Sequence, residues 1–161
     1  MEASIRKANP KDYDAFCHLV DELDAWHREN LPHIFQKPDG PVRAEDYYRG
    51  LLNDENTGLF VADVGGEIVG FVHAIIKNTP EFPIFVPRRF AIIDSIAVRS
   101  DFKNRGIGRL LMDTAHKWAS TEGATAVELN VYEFNKPAIA FYQKLGYKTS
   151  TRRMSRPLES N

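Results

Sequence analysis

The feature that most constrains the fold is a pair of β-rich segments on either side of two consecutive glycines. Residues 58–77 read GLFVADVGGEIVGFVHAIIK, with Gly65 and Gly66 at the turn. Glycine readily adopts the positive φ angles of two-residue hairpin turns, and β-branched and aromatic residues on both sides favour strands. This segment predicts an antiparallel hairpin. A further apolar segment, residues 90–98 (FAIIDSIAV), predicts a strand near the centre of the sheet.

The rest of the chain predicts helices and strands in an order that does not simply alternate. Apolar residues recur three or four apart after Pro10 and again from about Arg105, which predicts helices there. The other predictions are helices at 44–53 and 135–145, strands at 3–9, 125–131 and 147–154, and a loop at 27–41. The order β-α-α-β-β-β-α-β-α-β predicts the α/β class with a mixed sheet, in one domain over residues 1–161.

Composition argues against several classes of protein. The net charge is −1, without the basic excess that nucleic-acid binders usually show. The single cysteine, Cys17, cannot form an internal disulfide or a cysteine-rich zinc site, and it suits a reducing compartment. No segment is apolar enough to span a bilayer, and the charged N-terminal segment lacks the pattern of a secretory signal. We therefore expect a cytoplasmic protein with no metal, no nucleic-acid partner and no membrane partner.

Glycines and cations are combined in residues 103–111 (KNRGIGRLL), between the strand predicted at 90–98 and the next helix. The segment lacks the Lys-Ser or Lys-Thr pair of a Walker A loop, and Leu111 replaces the third glycine of a dinucleotide fingerprint. What remains is a helix N-terminus, whose first N–H groups attract anions. The pattern suits a pyrophosphate site, and it suits equally well a glycine turn whose cations are solvated.

Two motifs taken together resemble the Gcn5-related N-acetyltransferase (GNAT) family. The pyrophosphate motif of that family, [QR]-x-x-G-x-[GA], is matched by Gly106 and Gly108, with Lys103 where glutamine or arginine is usual. The later motif, N-x-x-A-x-x-[FLY]-Y-x-x-x-G-[FY], is matched by Asn135, Ala138, Phe141, Tyr142, Gly146 and Tyr147. The resemblance is sharp over residues 90–147, and upstream of them it extends only to the order and type of the elements.

The resemblance implies a mostly antiparallel sheet that is flanked by helices and splays between the fourth and fifth strands, with acetyl-CoA as co-substrate. The pantetheine arm would pair with backbone groups of Ile96 and Val98, as an added strand does, and an N–H near Ile96 or Ala97 would stabilise the oxyanion. The pyrophosphate would be bound by Lys103, Asn104, Arg105, Gly106, Ile107, Gly108 and Arg109. Asn135 would bond coenzyme A or orient Tyr142, and it also suits the N-cap of its helix.

Acetyl transfer to an amine needs a proton donor for the departing thiolate and a base for the acceptor. The motif implies Tyr142 as the donor, because tyrosine is protonated at neutral pH; taken alone, this residue would be a core aromatic. Asp94 interrupts an apolar strand where relatives often carry an acid, and it is the candidate base, with burial expected to raise its pKa. The alternatives are that His73 or water is the base, or that Asp94 forms a structural ion pair with Arg88 or Arg89.

We therefore expect an N-acetyltransferase in which a primary amine, on a small molecule or on a peptide or protein, attacks acetyl-CoA directly in a ternary complex. A regulatory module that binds coenzyme A or acyl-CoA without turnover is the alternative. Acids and aromatics near the first two helices suit a cationic amine; these are Asp21, Glu22, Asp24, Trp26, His27, Glu29, His33 and Phe35. The acids suit equally well the solvated face of an amphipathic helix, which is the better interpretation for Asp21 and Glu22. The apolar loop at 78–89 suits a cover over the substrate or a contact with a second subunit, which makes a homodimer compatible with the sequence.

Overall fold

Five strands form one sheet in the computed structural model of the chain, which describes residues 2–160. The strands are β1 Ser4–Lys7, β2 Thr57–Val64, β3 Glu67–Asn78, β4 Arg89–Val98 and β5 Val127–Leu129. They lie in the order β1-β2-β3-β4-β5, and the pairing is antiparallel except between β4 and β5. The prediction of a mixed, mostly antiparallel sheet is confirmed.

The helices fall into two compact parts of the chain. Within residues 2–160 they are α1 Tyr13–Asn30, α2 Glu45–Asn53, α3 Ile107–Thr121 and α4 Lys136–Lys144. One compact unit runs to Asn130 and contains the sheet with the first three helices, and the other starts at Val131 and contains α4. The expectation of a single domain over residues 1–161 stays a prediction, and its ends, Met1 and Asn161, lie outside the described residues.

The hairpin that the glycine pair predicted is present. Gly65 and Gly66 have φ angles of 61° and 90°, both in the left-handed region that a two-residue turn between right-twisted strands requires. β2 and β3 then pair along their length, from Val64 with Glu67 at the turn to Thr57 with Ile75 at the far end. This pairing makes the hairpin the centre of the sheet.

Two predicted helix boundaries differ from the structure. α1 continues to Asn30, inside the predicted loop, because Pro32 restricts the backbone of only the residue before it. α3 begins at Ile107 rather than at Arg105, since Asn104 and Gly106 have φ angles of 62° and 79°. Helical backbone needs negative φ, so the helix cannot include these residues.

The last predicted strand, at residues 147–154, is wrong. The chain from Tyr147 to Ser160 has neither helix nor strand, and its side chains from Lys148 onward are exposed. Only Tyr147 and Met154 are apolar in the segment YKTSTRRM, so a strand there would have no apolar face to bury. Burial of such a face, rather than backbone propensity, is what stabilises most strands.

Helices cover both faces of the sheet in the first unit. On one face, Phe16 and Leu19 of α1 and Tyr48 of α2 form a core with the strands. The strand residues of that core are Leu59, Val61 and Phe71. On the other face α3 packs on the alternate residues of the same strands: Trp118 contacts Gly58 and Phe60, and Leu111 contacts Gly70. The alternation follows from the two-residue period of a strand.

A β-bulge interrupts the pairing of β3 with β4. His73 pairs with Ser95 and Ala74 pairs with Ile93, so Asp94 lies between two pairs and has no backbone partner on β3. A bulge of this kind sets two residues of one strand against one residue of its neighbour and bends the strand. As a result the side chains of Asp94 and Ser95 both lie on the α1 face, where they line one cavity.

The tight packing of α3 on β2 predicts a measurable loss of stability. A Cβ at residue 58 would lie 2.7 to 2.8 Å from ring atoms of Trp118, which is closer than carbon atoms tolerate. We expect Gly58→Ala to lower the free energy of unfolding by about 1–3 kcal/mol in urea denaturation, as overpacking does. Gly50→Ala is the matched control, because Gly50 lies inside α2 with nothing within 4 Å of its added Cβ. It should stabilise the protein by about 0.5–1 kcal/mol. An unchanged midpoint for Gly58→Ala would contradict the packing described here.

Candidate functional site

A cavity of about 180 Å³ opens on the α1 face of the sheet, beside the bulge in β4. Its walls come from α1, the loop that follows it, the start of α2, and strands β3 and β4. The lining residues are Phe16, Val20, Leu23, Asp24, His27, Phe35, Arg43, Tyr47, His73, Asp94 and Ser95. Seven of these eleven residues are polar or charged and four are apolar or aromatic, so the cavity has both apolar surface and several polar groups that could orient a ligand.

Asp94 and His73 form a hydrogen-bonded pair in this cavity. His73 Nδ1 lies 3.2 Å from a carboxylate oxygen of Asp94, and the imidazole is buried, with 3% of its side chain exposed. Because a carboxylate only accepts hydrogen bonds, Nδ1 carries the proton and donates it. Nε2 is buried and has no hydrogen-bond partner among residues 2–160. The pair therefore fixes the direction of the Asp94 carboxylate, whose side chain is 49% exposed.

The expectation that burial raises the pKa of Asp94 is wrong. The hydrogen bond from His73 lowers the pKa of Asp94 below its usual value, and this effect outweighs the partial burial of the carboxyl group. The nearby charge of Arg43 acts in the same direction. The alternative ion pair is also wrong, since Arg88 bonds Glu128 and the Arg89 side chain donates to the backbone oxygen of Glu122. Asp94 is therefore an ionised carboxylate at neutral pH.

A second charged pair holds the loop between α1 and α2 against the cavity. Arg43 donates to both carboxylate oxygens of Asp24, at 2.8 and 3.3 Å, and the Tyr13 hydroxyl donates to the Arg43 backbone oxygen at 2.6 Å. Tyr47 lies near Asp94, and burial, followed by that negative charge, raises the pKa of the Tyr47 hydroxyl. These contacts position the wall of the cavity without any ligand.

The edge of β4 that faces away from β3 is paired before the bulge and unpaired after it in the described part of the chain. β5 pairs with β4 only from Ala91 to Ile93, and beyond that point no strand among residues 2–160 pairs with this edge. Ile96, Ala97 and Val98, the residues predicted to bind the pantetheine arm, lie in this stretch and are partly exposed. Backbone groups on an unpaired strand edge can pair with an extended ligand. The pairing of β4 with β5 stops where β5 ends, and the predicted splaying of the two strands stays a prediction.

The predicted pyrophosphate turn precedes α3 and has a defined backbone. Asn104 and Gly106 are both in the left-handed region, and Gly106 is the N-cap of α3. Gly106 has no side chain to cap α3, and among residues 2–160 no other side chain does so, which leaves the first N–H groups of the helix available to an anion. The rest of the predicted set surrounds this N-terminus: Lys103, Arg105 and Arg109 are exposed, Gly108 is partly buried and Ile107 is buried. The Arg105 guanidinium lies 4.8 Å from the centre of the Phe102 ring.

The later motif lies in the second compact unit. Asn135 caps α4 as predicted, since its side-chain oxygen accepts from the Ala138 N–H at 3.3 Å. Tyr142 contacts the rings of Phe141 and Tyr147, with centroid distances of 5.3 and 5.8 Å. Burial raises the pKa of Tyr142 to about 12, so the phenol is protonated over the physiological range. No residue of α4 is fully buried, and the role of Tyr142 as proton donor stays a prediction.

Sequence reasoning named some cavity residues and missed others. Asp24, His27 and Phe35 of the predicted acidic and aromatic set line the cavity, whereas Asp21, Glu22, Trp26, Glu29 and His33 do not. Arg43, Tyr47 and Ser95 were missed. Arg43 and Tyr47 reach the cavity only through the fold of the α1–α2 connection, and Ser95 only through the bulge. The adjacent tyrosines of α2 show the difficulty, because the sequence does not say that Tyr48 is the buried one.

Within residues 2–160, no three histidine, cysteine, aspartate or glutamate side chains come together in a way that would hold a metal ion. No helix in the same range combines the length and the apolar character needed to cross a membrane.

Comparison with known proteins identifies the family. The model of the acetyltransferase (GNAT) family matches residues 20–147, which is most of the chain. The chain therefore belongs to the GNAT family, and membership supports acetyl transfer as its class of reaction.

Two curated relatives agree with this assignment. An uncharacterized N-acetyltransferase of Methanocaldococcus jannaschii is 38% identical over 105 residues, which cover 63% of this chain and 44% of the relative. This chain thus spans less than half the length of that protein. An N-alpha-acetyltransferase of Sulfolobus acidocaldarius is 34% identical over 154 residues, or 91% of this chain and 84% of the relative.

Solved structures share the fold. A single-substitution mutant of the BH1408 protein from Bacillus halodurans superposes with a TM-score of 0.92 at 26% identity, and the match covers 97% of this chain and 99% of that one. An aminoglycoside N-acetyltransferase in complex with CoA gives a TM-score of 0.74 at 16% identity, covering 98% and 100% of the two chains. At that identity the likeness shows the fold alone.

The hydrogen bond between His73 and Asp94 can be tested by titration. Because the pKa of Asp94 is lowered in the folded state, its ionised form contributes stability that is lost as the pH falls through that pKa. His73→Leu removes the hydrogen bond that lowers the pKa of Asp94 most, and we expect this pKa to rise in a carbon-13 NMR titration of the carboxyl groups. His33→Leu, in an exposed part of the α1–α2 loop, is the control and should leave it unchanged. Equal titration of Asp94 in all three proteins would show that the pair does not form in solution.

Proposed function

We propose that the protein transfers the acetyl group of acetyl-CoA to a primary amine by direct attack in a ternary complex. The observation that carries the proposal is the change in β4 at Asp94. The Asp94 side chain lines a cavity on the α1 face of the sheet, and this carboxylate is ionised. The residues of β4 after Asp94 have a backbone edge with which no strand among residues 2–160 pairs. An amine and an extended thioester could therefore meet at one strand.

The donor is proposed from the residues of β4 and of the α3 N-terminus. The unpaired edge at Ile96–Val98 suits the amides of a pantetheine arm, and an N–H near Ile96 or Ala97 suits the oxyanion of the tetrahedral intermediate. The uncapped α3 N-terminus, with Lys103, Arg105 and Arg109 around it, suits a pyrophosphate. Coenzyme A, which is bound in the structurally similar aminoglycoside N-acetyltransferase, has both groups.

In the proposed reaction the amine nitrogen attacks the thioester carbonyl carbon, the N–C bond forms, and the C–S bond breaks. The acceptor arrives as an ammonium ion and must lose a proton before it can attack. Because its lowered pKa makes Asp94 a weak base, the carboxylate acts mainly by binding the ammonium, and the proton leaves through water to bulk solvent.

Of the two protein bases considered, the geometry supports Asp94 over His73. Nε2 of His73 is buried, and Nδ1 is engaged with Asp94, so neither imidazole nitrogen is available to an incoming amine. His73 is then a positioning residue. Tyr142, protonated because burial raises its pKa to about 12, is proposed from the family motif to protonate the thiolate of coenzyme A.

Binding of the donor depends on the turn before α3. Gly106→Val places a β-branched residue at a φ of 79°, which strains the turn, and we expect the Kd for acetyl-CoA to rise roughly tenfold in calorimetry. Gly40→Val is the matched control, since Gly40 lies in open space without a positive φ, and it should not change the Kd. A wild-type protein that does not bind acetyl-CoA at all would overturn the proposed function.

Turnover is tested by the release of free thiol from acetyl-CoA in the presence of a panel of amines. Tyr142→Phe should lower kcat by roughly 10²–10⁴-fold near neutral pH, the range expected when a general acid is lost. Tyr147→Phe is the control, because phenylalanine is compatible with the motif at that position. If both variants turn over at the wild-type rate, Tyr142 is not the acid. Binding of acetyl-CoA without transfer to any amine would instead favour the regulatory module.

A further inference from the structure

We infer that Phe102, in the turn between β4 and α3, is a positioning residue that holds the Arg105 guanidinium in place to bind a phosphate group of the donor. This inference rests on the proposed function, because it takes the N-terminus of α3 as the phosphate site of acetyl-CoA. It goes further by assigning a role to a residue that lies outside both sequence motifs. The contacts of Arg105, of Phe102 and of the neighbouring cations each support it.

Arg105 is held by an aromatic ring and not by a carboxylate. Its guanidinium carbon lies over the Phe102 ring, 4.8 Å from the centre, which is within the range of a cation–π contact. Among residues 2–160, the Arg105 side chain forms no hydrogen bond and no ion pair. The charge of Asp101 acts on Arg105, but both carboxylate oxygens of Asp101 already accept hydrogen bonds from Arg99, at 2.6 and 3.0 Å. The N–H groups along the edge of the Arg105 guanidinium are therefore available to an anion.

The Phe102 ring is itself fixed by Arg99. The guanidinium of Arg99 lies over the same ring, 4.7 Å from its centre, and the Phe102 N–H donates to the Arg99 backbone oxygen at 2.9 Å. Arg99 has two carboxylate partners, Asp101 in the turn and Glu67 at the start of β3, which neutralise its charge locally. The ring therefore has a fixed place on the turn, and the charge over it that remains for an anion is that of Arg105.

The other two cations at the N-terminus of α3 are held differently. Arg109 Nε lies 3.9 Å from a carboxylate oxygen of Asp113, one helical turn further on, which reduces the effect of its charge. In the described part of the chain, neither Lys103 nor Arg109 lies over an aromatic ring, and Lys103 has no ion pair. Within residues 2–160, Arg105 is thus the one cation of the three that combines a charge without a carboxylate partner and a fixed position.

A guanidinium that is already in place binds a phosphate more tightly. An exposed arginine loses side-chain freedom when it binds a ligand, and a side chain that is ordered beforehand loses less. Contact of one guanidinium face with the Phe102 ring leaves the edge of the group open, and the N–H donors there match two oxygens of a phosphate. Leucine at residue 102 would keep an apolar contact but would lose the electrostatic attraction of the ring.

The test measures the Kd for acetyl-CoA by calorimetry. Phe102→Leu should raise this Kd about two- to fivefold, the effect of losing one exposed cation–π contact. Arg105→Gln should raise it about tenfold, because a charge-assisted hydrogen bond to the phosphate is lost. In the double variant Phe102→Leu should add nothing, since the ring acts only through Arg105. Phe102→Tyr keeps the ring and should keep the wild-type Kd.

Phe90→Leu is the matched control. Arg88 lies over the Phe90 ring, 4.9 Å from its centre, and Phe90 is near the end of β4 that is opposite to the turn. This variant should leave the Kd for acetyl-CoA unchanged. S-acetylpantetheine, which has no phosphate, is the control ligand, and its Kd in an NMR titration should be the same for Phe102→Leu as for the wild-type protein. A role of Phe102 in packing alone would change the Kd of both ligands.

One measurement needs no variant. In the wild-type protein without ligand, the heteronuclear NOE of the Arg105 Nε–H group should be clearly higher than that of Arg152, which is exposed and lies outside every helix and strand. Equal values for the two arginines would show that Phe102 does not order Arg105, and they would overturn the inference.

The outcomes separate this inference from the proposed function. An unchanged Kd for Phe102→Leu, additive effects in the double variant, or an equal rise for Phe90→Leu overturns the positioning role while binding of acetyl-CoA stands. If acetyl-CoA does not bind to the wild-type protein, the proposed function fails, and inorganic pyrophosphate becomes the probe. A shift of the Arg105 Nε–H signal on titration that is smaller in Phe102→Leu supports the inference, and the absence of any shift overturns it.

Discussion

The site depends on one extra residue in β4. Without the bulge at Asp94, the two-residue period of the strand would turn Ser95 and Ala97 toward α3 and Val98 toward α1. With the bulge, Ala91 and Ile93 before it face α3, whereas Asp94 and Ser95 both line the cavity beside α1. Beyond the bulge, Ala97 packs against the α1 core and Val98 lies near Gly70. The pairing with β5 also ends at Ile93, immediately before the bulge. A single change in backbone register therefore accompanies both the cavity and the open edge.

The two charged pairs of the cavity have different consequences because their partners differ. Arg43 neutralises Asp24 and ties the α1–α2 loop to helix α1, which gives the wall a fixed shape. The hydrogen bond from His73 lowers the pKa of Asp94, so that this carboxylate stays ionised. Exchanging the partners would neutralise the carboxylate nearest the strand and remove the attraction for an amine. Placing His73 in the core also lowers the stability of the fold, because its buried Nε2 has no hydrogen-bond partner in the described part of the chain.

The sequence predicts local features of this protein well and long-range ones poorly. The sequence predicts the hairpin from Gly65 and Gly66, the turn before α3 from Gly106, and the N-cap of α4 from Asn135. Each of these features depends on the local preference of only one or two residues. The bulge depends on how β3 and β4 are aligned, and nothing in the order of residues 90–98 specifies it. Likewise, the ion pair between Arg43 and Asp24 joins residues that are 19 apart in the sequence, so it forms only when the fold brings them together. The expected rise in the pKa of Asp94 failed for the same reason, since His73 comes from a different strand. The strand predicted at 147–154 is wrong because only Tyr147 and Met154 are apolar there, which leaves no apolar face to bury.

The geometry of a β-strand explains how one segment could bind two ligands. Backbone N–H and C=O groups of a strand lie in the plane of the sheet, whereas its side chains point out of that plane to either face. The proposed thioester would use the first direction, along Ile96–Val98, and the proposed amine would use the second, above Asp94 and Ser95. Each ligand can then change without the other: the cavity walls come from α1 and its loop, while the edge of β4 uses backbone groups that are the same whatever the side chains. On the proposed function, a change in the α1 walls would alter binding of the amine and leave the strand edge proposed for the thioester intact.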